Sequence, residues 1–146
     1  MASIWHGMFA VLLVSATYAE ASPLVTVTVR NNGTRPIANE CVTSNHRHTF
    51  LNASPAPKAT LMPKEEDTFT VDNQVGDGAN YAELQYRTGV ERCDFKSLFV
   101  NKQVGYKLHT PQWFKFATAQ SGAQCTAEII AANATDHSWH VIFIMK

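Results

Sequence analysis

Strict alternation over Leu24–Arg30 limits this chain more than any other feature. Val25, Val27 and Val29 fall on one face and Thr26, Thr28 and Arg30 on the other. A period of two belongs to a half-buried strand, and β-branched residues favour the pleated backbone. Asn31-Asn32-Gly33-Thr34 then closes the run with a turn signal.

The rest of the chain repeats this grammar. Thr68–Val71 turns Phe69 and Val71 to one side, and Tyr81–Arg87 sets Ala82, Leu84 and Tyr86 against Tyr81, Glu83 and Gln85. Cys93–Phe95, Val104–Leu108, Trp113–Thr118 and Gln124–Ala131 read as further strands, as do a short segment from Ile37 to about Cys41 and the stretch Asn45–Leu51. The closing segment Ser138–Met145 is apolar on both faces, with Trp139, Val141, Phe143 and Met145 opposite His140, Ile142 and Ile144. Such a strand belongs at the centre of a sheet, beside the opening one. Asp72–Asn80, with its two glycines, is the strongest loop. No window carries an apolar stripe of helical period over three turns. About eight or nine short strands at this spacing predict an all-β, antiparallel two-layer sandwich.

The apolar run Met8–Val14 is too short to span a bilayer, which takes roughly 20 residues. Ala19-Glu20-Ala21 supplies the small-x-small pattern of a cleavage site. Met1–Ala21 is therefore expected to be a signal peptide, leaving Ser22–Lys146 as one sandwich domain in an extracellular (or, in a Gram-negative cell, periplasmic) space. No Lys or Arg precedes the apolar run, an unusual trait in a leader. The mature chain would carry twelve basic against eleven acidic residues, a balance that gives no global case for nucleic acid. In an oxidising compartment Cys41, Cys93 and Cys125 give one bridge and one remaining thiol. Cys93 and Cys125 both sit in strand-like segments, and a bridge between them is expected, with Cys41 buried or paired in trans. The pairings Cys41–Cys93 and Cys41–Cys125 stay open. Asn32, Asn52 and Asn133 begin N-x-Ser/Thr triplets in expected loops, and are candidate glycosylation sites of a secreted protein.

Several side-chain groups carry possible chemistry. His46 and His48 alternate by two, so on a strand both imidazoles leave one face, a geometry suited to copper or zinc. His137, His140, His109 or Cys41 would complete such a site. Asp72, Asp77, Asn80 and Glu83 offer oxygen ligands for calcium, without the EF-hand spacing. Charge is uneven. Lys58–Glu83 is acidic, whereas Glu91–Lys115 is basic and holds Tyr106, Trp113, Phe114 and Phe116. Three of the four residues Trp113–Phe116 are aromatic, so one must face away from the core. Lys102, Tyr106, Lys107, Trp113 and Lys115 are the expected contact residues for a membrane surface, a glycan or an extracellular protein. The chain lacks a nucleophile elbow, a P-loop, a zincin motif and a dinucleotide fingerprint. The expectation is a non-enzymatic binding protein that needs no cofactor, with metal binding as the alternative.

Val27–Asn32, Thr68–Val71 and Ala82–Tyr86 together resemble the strand grammar of aegerolysin-like and actinoporin-like proteins. That resemblance implies a lipid-binding sandwich. It does not extend to the leader or to the C-terminal strand.

Overall fold

The first and last strands of the described residues lie side by side. In a computed structural model that describes residues 22–73, 75 and 78–146, β1 (Val25–Asn31) pairs in parallel with β10 (Trp139–Met145). The register runs from Val25 opposite Trp139 to Asn31 opposite Met145. Because the pair is parallel and in phase, Val25, Val27 and Val29 share an inner face with Trp139, Val141, Phe143 and Met145, all buried. β5 (Glu66–Val71) flanks β1 and β9 (Cys125–Ala132) flanks β10, both antiparallel. With the two-residue β3 (Ala53–Ser54) at the far edge, the first sheet has the order β3-β5-β1-β10-β9.

The second sheet has the order β4-β2-β6-β7-β8. Its strands are β2 (Ile37–Glu40), β4 (Thr60–Leu61), β6 (Ala79–Thr88), β7 (Glu91–Gly105) and β8 (Leu108–Gln120). Ala82, Leu84 and Tyr86 of β6 and Cys93, Phe95 and Phe99 of β7 point inward, as their alternation predicts. The two layers meet through stacked rings, Phe95 on Phe143 at 4.9 Å between centroids. A polar link also crosses the core. Trp139 Nε1 donates to Ser97 Oγ at 2.8 Å, and Ser97 Oγ donates to the Phe114 carbonyl at 2.9 Å. An all-β sandwich is thus the fold, with ten strands among the described residues instead of eight or nine, and one parallel pair among them in an otherwise antiparallel plan. The leader assigned to Met1–Ala21 lies outside the described residues.

Cys93 on β7 and Cys125 on β9 form the disulfide, with Cα atoms 5.6 Å apart. The bridge ties the two sheets where edge strands β8 and β9 close one side of the sandwich. Cys41 is a free, exposed thiol, which removes both other pairings and the expectation that it is buried. Buried Asn31 organises the crossing from one sheet to the other. Its Nδ2 donates to the carbonyls of Arg35 (2.8 Å) and Leu61 (3.0 Å), and its Oδ1 accepts from Gly33 N at 3.0 Å. Without that side chain, two carbonyls at the start of the second sheet would lose a donor.

Two departures from the sequence reading bear on function. Asn45–Leu51 is not a strand: α1 (Ser44–Leu51) is a helix. Thr43 caps it, its hydroxyl accepting from His46 N at 3.1 Å while His46 returns the contact to the cap backbone. The residues α1 buries, His46 and Thr49, are polar, so the helix has no apolar stripe to betray it. Nor are Val104–Leu108 and Trp113–Thr118 separate strands. Val104 and Gly105 end β7, Tyr106 and Lys107 make the turn, and β8 runs straight through Pro111, which pairs opposite Asn101. An edge strand tolerates a residue that has no N–H.

Breaking the bridge should be costly. Opening a loop of this length costs roughly 3–4 kcal/mol in the chain-entropy picture. Urea denaturation of Cys93→Ala/Cys125→Ala should read a loss of that size with the strand signature in circular dichroism retained. A loss below about 1 kcal/mol would mean that the core alone holds the sheets together.

Candidate functional site

Two exposed regions of the β6–β7–β8 sheet concentrate chemistry. The first is the end of the β7–β8 hairpin. β6 pairs with β7 only as far as Val100, opposite Ala79. Beyond it, Asn101 N still donates to the Gly78 carbonyl at 2.9 Å, and residues 102–105 of β7 pair with β8 alone, so a two-stranded ribbon runs about 13 Å past the sheet at strand rise. A register shift between Gln103 and Gly105 breaks the ladder near the tip, and such a bulge adds twist. Tyr106 is 90% exposed, Leu108 60% and Val104 52%. Lys107 occupies the turn with φ 57°, its ammonium 5.5 Å from the Tyr106 ring centroid. Lys102 and His109 are exposed on the same ribbon. From Asn101 to Lys115 the chain has three lysines and no acidic residue.

The five expected contact residues therefore separate into two groups. Lys102, Tyr106 and Lys107 gather on the ribbon. Trp113 does not join them. It is half-buried against Phe99 at 5.3 Å, and its Nε1 donates to the His137 carbonyl at 3.1 Å, tying β8 to the loop before β10. Lys115 lies opposite Ser97, on the inward-facing side of β8 but exposed because β8 is an edge. The aromatics that face water from this strand are Phe114 and Phe116. Alternation alone leaves open which phase of a two-sided aromatic strand meets the core, and the β7 register settles it.

The second region is the outer face of the same sheet. β2 stops at Glu40, opposite Gln85, so the edge of β6 below that point has no strand partner. α1 covers it: Thr49 Oγ1 accepts the Glu83 amide at 3.0 Å, and Tyr81 Oη donates to Asn45 Oδ1 at 3.5 Å. Between α1 and β8 lies a groove of about 730 Å³, which continues along β6 and β7 into a smaller hollow past Lys96 and Leu98. Register sets its floor in rows across the sheet: Gln85–Asp94–Thr118, then Glu83–Lys96–Phe116, then Tyr81–Leu98–Phe114. Lys96 Nζ lies 2.5 Å from Glu83 Oε1. Asp94 accepts from the amides of Gln85 and Gln120, each at 2.6 Å.

His46 lines the groove and is buried. Burial pushes its pKa below the usual imidazole value, against the opposing pull of Asp94 and Glu83. Its Nδ1 accepts from the amides of Val42 (3.3 Å) and Thr43 (3.4 Å). A proton on Nδ1 would displace both donors, so the neutral ring is part of the helix cap. His48, two residues along a helix instead of a strand, lies on another side of α1 and has Tyr81 Oη 3.4 Å from its Nδ1. The shared face that made this pair a candidate metal site is thereby lost. His140 contacts Thr28 Oγ1 at 2.9 Å on the other sheet, and His137 stacks on Phe99.

The loop proposed for calcium divides as well. Asn80 is buried and structural, donating to the Pro23 and Val71 carbonyls, and Glu83 is paired with Lys96. Asp77 lies outside the described residues. Among the described residues, no group of three or more His, Cys, Asp or Glu gathers to hold a metal ion. Asn32, Asn52 and Asn133 are all exposed. The groove itself went unseen in the sequence. Its one legible trace was Thr43-x-x-His46, a capping-box spacing with an imidazole where Glu or Gln is usual. Compared with known proteins, the chain matches no protein-family model and no curated protein.

The cap makes α1 acid-sensitive. A folded pKa below the unfolded value means that the stabilisation from His46 is complete above about 6.5 and fades as pH falls below it. His46→Gln keeps an acceptor for the cap and removes the titration. Between about pH 7 and about pH 5, wild-type stability in urea should fall more steeply than that of the variant. His140, which burial and Arg30 also hold low, contributes to the slope left in the variant. Equal slopes would show that the imidazole does not cap the helix.

Proposed function

We propose that this chain is an exported, non-enzymatic binding protein that docks on anionic membrane surfaces through its β7–β8 ribbon. One observation carries the reading: the ribbon tip exposes Val104, Tyr106 and Leu108 beside Lys102 and Lys107, with no acidic residue from Asn101 to Lys115. Apolar side chains in that position gain by leaving water, and a tyrosine suits the boundary between headgroups and acyl chains. The lysines reach anionic headgroups while their methylene stems lie along the apolar layer. Each lysine near such a surface contributes about 1 kcal/mol, so attachment is reversible and weakens with salt.

Other features agree with this reading. The Cys93–Cys125 bridge suits an oxidising compartment, as the leader-like Met1–Ala21 would require. The sequence resemblance to lipid-binding sandwiches points to the same class of partner. The ribbon leaves the core undisturbed, because its residues beyond Asn101 pair with β8 alone.

Vesicle sedimentation tests the proposal directly. Wild-type protein should bind phosphatidylserine-containing vesicles and leave phosphatidylcholine vesicles largely free. Lys102→Gln/Lys107→Gln should weaken that binding roughly 30-fold, and Val104→Ser/Leu108→Ser by about tenfold or more. Equal binding to both vesicle types, or none to either, would sink the reading.

A further inference from the structure

We propose that the groove between α1 and β8 binds a neutral saccharide chain, a second contact site that does not depend on the ribbon. The inference rests on how the groove deals with charge. Among the described residues that line it the one cation, Lys96, is paired with Glu83 at 2.5 Å, and the Asp94 carboxylate accepts from two side-chain amides. Amide hydrogen bonds leave the negative charge of Asp94 in place, so the described lining offers no free cation, and phosphate and sulfate groups find no counter-charge here. What remains is a set of planar polar groups held in place. Gln85 and Gln120 each give one N–H to Asp94, and an amide has a second N–H and a carbonyl besides. Thr118, directly opposite Asp94, adds a hydroxyl.

Beside this polar row stands an apolar one. Phe116 is half exposed at the groove wall, Leu98 lies on the floor, and Phe114 follows Phe116 on the same face of β8. A sugar ring carries both matching surfaces. Its C–H faces are apolar and pack on an aromatic ring, while its equatorial hydroxyls lie in the ring plane and take in-plane hydrogen bonds from amides and carboxylates. An apolar peptide would leave the Gln85–Asp94–Thr118 row unmatched, and burying polar groups without partners is unfavourable.

The dimensions favour a chain over a single sugar. Rows two residues apart on a strand are about 6.7 Å apart, so the three rows from Asp94 to Leu98 span about 13 Å along β7. The smaller hollow past Leu98, lined by Tyr81 and Val100, lengthens the track in the same direction. The groove is open along its length, which lets a linear polymer lie in it without threading an end.

Titration calorimetry with linear hexasaccharides of β-1,4-glucose, β-1,3-glucose, N-acetylglucosamine and mannose tests this. At least one should bind with an affinity that salt does not change. Phe116→Ala, at a solvent-facing position of an edge strand, should fold normally and weaken binding about tenfold. Asp94→Ala, which frees both amides, should weaken it at least as much. Lys102→Gln/Lys107→Gln should bind sugar as the wild type does, so failure of the membrane reading would leave this one standing. Three results would each overturn the proposal: no binding of any hexasaccharide at millimolar concentration, binding unchanged in both groove variants, or binding confined to sulfated polysaccharides and abolished by salt.

Discussion

The pairing of β1 with β10 is the constraint from which the rest of this structure follows. β10 is apolar on both faces, and a strand of that kind is stable only with neighbours on both edges and cover on its inner side. β1 supplies one edge and β9 the other, and Phe95 of the opposite sheet stacks on Phe143 from across the core. Because the pair is parallel and in register, Val25, Val27 and Val29 reach the same inner face as Trp139, Val141, Phe143 and Met145. The first and last of the described strands are thereby committed to one sheet, and the long antiparallel run β6-β7-β8 is left to form most of the other.

That division places the exposed chemistry on the second sheet. β7 and β8 are longer than the strands they pack beside, and the surplus becomes the ribbon. β2 is shorter than β6, and the shortfall leaves an edge that α1 covers. An uncovered strand edge invites pairing with other chains, so the helix protects the sheet as it walls the groove. Both candidate surfaces therefore arise from mismatched strand lengths. The disulfide joins the same two sheets on the side where β8, which carries Phe114 and Phe116, has no strand beyond it.

The histidines show why some of the site was hidden. His46-Arg47-His48 alternates as a strand would, and nothing apolar nearby contradicts that phase. What overrides it is local: the Thr43 hydroxyl and the His46 ring satisfy backbone amides that a strand would have paired across a sheet. Trp113 shows a different limit. In Trp113-Phe114-Lys115-Phe116 either phase buries an aromatic, so hydrophobicity cannot choose between them. Pairing with β7, whose own phase is set by buried Phe95 and Phe99, sends Trp113 toward the core and Phe114 and Phe116 to water.

By itself the sequence determined what period-two alternation can determine: the sandwich class, the inward faces of β1, β5, β6 and β10, the central place of β10, and the cysteine pair best placed to bridge. Each of these follows from contacts between neighbours in sequence or from burial of whole faces, which composition and spacing report directly. Tertiary structure alone decided the ribbon's reach past β6, the groove and the partners of its charges. Those depend on relative strand lengths and on pairs such as Glu83–Lys96 and Gln120–Asp94. Long-range register brings such pairs together, and a pattern that repeats every two residues looks the same in every register of the same phase.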